Sequence, residues 1–106
     1  MTEKVVFIDH SSIAGSVVKI LSRNILLLTN DAIDVIVIKL EDIDKYVFTK
    51  EKMVLVDPVI SLNHPLLRRI PKRIKQMNFT IGSYVSLNAE AVLEQIETNT
   101  QTKRRQ

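Results

Sequence analysis

Asp9-His10-Ser11-Ser12 sets an acid, an imidazole and two hydroxyls side by side near the start of the chain. Adjacent residues do not make a hydrolytic triad, whose members must converge through the fold. His10 therefore reads as a polar residue closing a strand. Asp9 and Asp57 each follow an apolar run, and carboxylates at the ends of neighbouring parallel strands can gather a cation and a phosphoryl group. A second concentration is positive: residues 63–77 hold Arg68, Arg69, Lys72, Arg73 and Lys75 and no anion. At helical spacing these cations would contact successive phosphates, with affinity falling steeply in salt as counterions are released. Lys103, Arg104 and Arg105 in the polar tail would add reach. The bland counterpart is a solvated helix face whose long side chains cover Leu67 and Ile74.

Other chemistries are excluded by what is missing. There are no cysteines, so disulfides, thiolate metal sites and a cysteine nucleophile fall together. His64 stands beside Pro65 without ligand spacing, and two isolated histidines make no zinc site. Two glycines cannot supply a phosphate loop or a dinucleotide fingerprint. Tyr46, Tyr84, Phe7, Phe48 and Phe79 lie mostly in core-like positions. Base stacking is thus poorly supported, and nucleic-acid contact would run through backbone or shape.

The elements that must position these residues fit one domain, since 106 residues leave little room for two. The net charge of +3 is unevenly spread: residues 31–57 carry four cations against seven anions, residues 58–106 eight against three. Such asymmetry attracts anionic partners without specifying a fold. No apolar run approaches the ~20 residues of a membrane span, and the first residues lack the apolar length of a signal peptide. A cytoplasmic location is the default expectation.

Val5-Val6-Phe7-Ile8 reads as a buried strand. Ser11 or Ser12 would cap a helix with Ile13, Ala14, Val17, Val18, Ile20 and Leu21 on one face, closed by Asn24. Residues 25–29 then read as a strand, followed by the β-branched run Val35-Ile36-Val37-Ile38. Only about five residues separate those two strands, too few for a parallel crossover, so they should form an antiparallel hairpin. Tyr46-Val47-Phe48 and Met53-Val54-Leu55-Val56 suggest a second hairpin. Asn63 and Pro65 would open a basic helix, which Pro71 should kink or divide. Phe79-Thr80-Ile81 and Tyr84-Val85-Ser86-Leu87 suggest a strand broken at Gly82. Asn88 caps a final helix with Ala89, Val92, Leu93 and Ile96 inward.

Phe7-Ile8-Asp9-His10-Ser11 together with Val54-Leu55-Val56-Asp57 resembles response-regulator receiver domains. Gly82-Ser83-Tyr84-Val85 before the last helix is similar in flavour. The resemblance implies that Asp9 is a first-strand acid beside a phospho-accepting Asp57. It covers about half the chain. His10 replaces the usual second acid, and Ser86-Leu87 ends the last strand where that family has a lysine.

These readings converge on an α+β domain over residues 1–97 with a polar tail over 98–106. Its sheet is expected to be mixed, mostly antiparallel and of about five strands, with two or three helices; a small PUA-like or SH3-like β-barrel is the alternative. The expected function is non-enzymatic regulation by binding nucleic acid, RNA before DNA, through Arg68, Arg69, Lys72, Arg73 and Lys75, helped by Lys103, Arg104 and Arg105. No cofactor, metal or membrane partner is expected. The alternatives are a protein-interaction module, homodimeric through a sheet edge, or a degenerate receiver-like domain.

Overall fold

Three stretches of this chain are apolar at successive positions, the pattern of strands covered on both faces. In the computed structural model, which describes residues 3–10, 16–30 and 32–100, they form three adjacent strands of one sheet. Strand β1 is Glu3–Asp9, β2 is Ile33–Lys39, β3 is Met53–Val56 and β4 is Lys75–Asn78. The order is β2-β1-β3-β4, and every pairing is parallel. This is the doubly wound order through its first four strands.

Side chains alternate cleanly between the two faces. Val5, Phe7, Met53 and Leu55 pack under α1 (Val17–Thr29) and α3 (Ala89–Thr100), against Val18, Leu21, Ile25, Val92, Leu93 and Ile96. Val6, Ile8, Val54 and Val56 face the other way, against Ile43, Ile60, Leu67, Ile70 and Ile74. That second layer is built from two 3-10 helices, Leu40–Lys45 and Pro65–Arg69, and the loops around them. Phe7 and Phe79 meet edge to face at 4.9 Å inside the first layer.

The expected antiparallel five-strand sheet and the small barrel are both overturned by this all-parallel, four-strand sheet. The error starts at residues 25–29, which complete α1 instead of forming a strand. Val18, Leu21 and Ile25 recur at helical spacing and are buried, whereas Leu27 is 75% exposed. An exposed leucine beside an inward one erases the period that separates helix from strand. Asn30, not Asn24, closes the helix, in a left-handed conformation with φ of 52°. With that strand gone, α1 is the crossover that lets β2 lie parallel to β1.

The second expected hairpin fails for a related reason. Tyr46-Val47-Phe48 is not a strand. Its two rings meet edge to face at 4.8 Å, and the Tyr46 hydroxyl donates to Glu51, forming a corner on the way from β2 to β3. The expected broken strand at 79–87 is instead a short helix, α2 (Ile81–Val85). The first expected helix overlaps α1, although its start at residues 11–15 lies outside the described residues. Asn88 does cap α3, its Oδ1 accepting from the Ala91 amide at 3.0 Å. No helix among the described residues is long and apolar enough to cross a membrane.

Candidate functional site

Asp9 is the last residue of β1, and Asp57 directly follows β3. Because β2 and β3 flank β1 on opposite sides, the chain turns in opposite directions from these strand ends and leaves a crevice between them. Both carboxylates are wholly buried there. The parallel register that places Val56 beside Ile8 also carries Asp57 next to the end of β1, and the Asp57 amide donates to the Ile8 carbonyl at 3.0 Å.

A buried carboxylate is costly unless donors surround it. For Asp57, Oδ1 accepts from the Val59 amide at 3.0 Å. Oδ2 accepts from the Tyr84 hydroxyl at 2.6 Å and meets His10 Nδ1 at 2.7 Å. Asp9 Oδ2 accepts from Ser16 Oγ at 2.7 Å, and Asp9 Oδ1 lies 3.9 Å from His10 Nδ1. Ser16 is also the N-cap of α1, accepting from the Lys19 amide at 3.2 Å, so the positive end of that helix adjoins the crevice. Asn78, the last residue of β4, pins the loop after β3 by donating from Nδ2 to the carbonyls of Val56, Asp57 and Ile60.

His10 is the exposed member, with 47% of its side chain open to solvent. Contact with a carboxylate at 2.7 Å places the ring proton on Nδ1. In the neutral ring the lone pair then belongs to Nε2. Burial, the hydrogen bond to Asp57 and the charges of Asp57 and Asp9 together hold the Tyr84 hydroxyl well above the ordinary phenol range, so it remains a donor. Ligand atoms of Asp9, His10 and Asp57 all lie within 4.8 Å of one another, a span that suits a cation. The Nδ1 that faces the carboxylates carries a proton, however, and offers no lone pair until the bond to Asp57 is broken.

The basic cluster has a different fate. Arg68 and Arg69 end the second 3-10 helix, Lys72 and Arg73 lie in the following turn, and Lys75 opens β4. All five are exposed, but three local conformations replace the expected helical stripe. Pro71 ends the helical geometry at Ile70, as its ring requires of the residue before it. Arg69 Nη1 meets Asp44 Oδ1 at 3.2 Å, and Lys75 Nζ donates to Asn99 Oδ1 at 3.2 Å. Lys103, Arg104 and Arg105 lie outside the described residues. His64, not Asn63, caps the 3-10 helix, its Nδ1 accepting from the Leu66 amide at 3.1 Å.

The pairing of His10 with Asp57 is not among the sequence expectations, although the receiver resemblance implies Asp9 beside Asp57. Each aspartate follows four consecutive apolar residues, and buried parallel strands end at the same side of a sheet. Placing Asp9 beside Asp57 therefore brings His10 along. No protein-family model matches this chain, and no curated protein matches it.

Proposed function

We propose that this protein is a small, non-enzymatic regulatory domain that accepts a phosphoryl group on His10 Nε2. The observation that carries the proposal is the 2.7 Å bond from buried Asp57 to Nδ1 of a half-exposed imidazole. A carboxylate that holds one ring nitrogen orients the other and stabilises the positive charge that grows as the ring attacks. The phospho-accepting aspartate implied by the receiver resemblance is poorly placed to react, since Asp57 is buried and both of its oxygens are already bonded. The acceptor role passes to the exposed ring beside it.

In the transfer, the Nε2 lone pair attacks the phosphorus of an acyl phosphate or phosphoramidate-type donor. The bond from phosphorus to the leaving group breaks, and the leaving group takes that electron pair. Nδ1 keeps its proton against Asp57. The adjoining N-terminus of α1 favours the anion that results. Potassium phosphoramidate is a suitable donor for a test by phosphorus NMR. The expected product is an acid-labile, nitrogen-linked signal that His10→Gln abolishes and Asp57→Asn slows by about 100-fold. A phosphorylated His10→Gln protein would reject the assignment.

A second reading keeps nucleic acid as a partner. It is supported by the exposure of Arg68, Lys72 and Arg73, for which no ion pair is formed among the described residues. Contact would be to phosphates, RNA before DNA, without base readout.

A further inference from the structure

Asp57 Oδ2 serves two groups at once, His10 Nδ1 at 2.7 Å and the Tyr84 hydroxyl at 2.6 Å. Tyr84 comes from α2, on a different part of the chain from either partner, and its ring packs at 5.8 Å on Phe79. Building on the phosphoryl-acceptor reading, we infer that Tyr84 is a positioning residue that tunes His10 through the shared oxygen of Asp57. A hydroxyl donating to Oδ2 withdraws negative charge from the atom that holds the imidazole. It thereby weakens the pull of Asp57 on the ring proton, and the neutral ring is the form with a lone pair on Nε2. Tyr84 also holds Oδ2 while the Val59 amide holds Oδ1, so the carboxylate is fixed at both oxygens.

The charged and titratable groups facing His10 are few among the described residues. Asp9 comes from β1, Asp57 from the end of β3 and Tyr84 from α2; Ser16 at the start of α1 acts through Asp9, and Lys39 of β2 pairs in register with Asp9. Of these, Tyr84 alone touches the atom that bonds His10 Nδ1.

The test is an NMR titration of the two histidine rings in the wild-type protein, Tyr84→Phe and Asp57→Asn, with His10→Gln assigning the signals. Tyr84→Phe keeps the ring packing and removes only the hydroxyl. The expected result is an upward shift of the His10 midpoint by roughly half to one pH unit, with a downward shift in Asp57→Asn and no change at His64. The acid limb of phosphoryl uptake should move up by the same amount in Tyr84→Phe. Should that variant fail to fold, replacing both tyrosines by 3-fluorotyrosine, a stronger donor, should lower the His10 midpoint instead. A His10 curve that superimposes on wild type in Tyr84→Phe, or in the fluorinated protein, overturns the inference. The titration needs no phosphoryl donor, so a His10 that tunes as described but takes up no phosphoryl group would reject only the transfer reading.

Discussion

Glu51 and Tyr46 form a second carboxylate–phenol contact, on the segment that leads into β3. Glu51 accepts from the Tyr46 hydroxyl and from the Thr49 amide. Burial works against its charge, but the Tyr46 bond, the backbone amides of Glu51 and Thr49 and nearby Lys4 prevail and bring its pKa below the usual value. A carboxylate with a depressed folded pKa adds stability above its unfolded pKa of about 4.3, and that stability is lost as pH falls through the folded value. Glu51→Gln should therefore melt below wild type at pH 7, and the gap should narrow below pH 4 in thermal scans. Tyr46, like Tyr84, is held above the ordinary phenol range, first by burial and then by its carboxylate partner. These are the chain's two tyrosines. Absorbance near the phenolate band should accordingly show no ionisation close to pH 10, and a normal step there would contradict both contacts.

At the scale of elements, α1 and α2 do unequal work. The Ser16 cap ties α1 to Asp9 by the same oxygen that accepts from the Lys19 amide. Ser16→Ala should cost about 1–2 kcal/mol in denaturant unfolding, more than an exposed cap, because it also strips a donor from a buried carboxylate. In α2, a Cβ added at Gly82 would meet nothing within 4 Å. Gly82→Ala should raise stability by up to about 1 kcal/mol through helix propensity and a less flexible unfolded chain. A destabilised Gly82→Ala protein would show that α2 must bend there. Leu87, which follows α2, has φ of 56° and is partly exposed. Residues 84 and 85 already belong to α2, and this left-handed residue turns the chain toward α3 where the apolar pattern suggested a strand.

The whole molecule is a sheet thick with helices on one side and thin on the other. The thin side carries Arg68, Arg69, Lys72 and Arg73, partly offset where Arg69 meets Asp44, whereas Lys75 reaches Asn99 of α3 on the other side. If those cations bind nucleic acid, a gel shift should weaken steeply between low and physiological salt, and changing all five to Gln should remove it. Unaltered binding by that variant would move the interface elsewhere. β2 is an edge strand, and unpaired backbone of this kind invites a second copy. Light scattering at 12.1 kDa would argue against obligate pairing through it.

The amino-acid sequence determined the local parts. Its unbroken apolar runs specified β1, β2 and β3, the periodic burial of Val92, Leu93 and Ile96 specified α3, and Pro71 limited the helix before it. These signals depend on neighbours a few residues apart, which one sequence displays. Strand direction does not. It turned on whether residues 25–29 continued a helix, and Leu26-Leu27-Leu28, apolar on every side, gave no period to decide it. Only the tertiary structure, by making α1 a crossover and every strand parallel, brought the ends of β1 and β3 together. The meeting of His10 with Asp57, 47 residues apart, is a consequence of that packing.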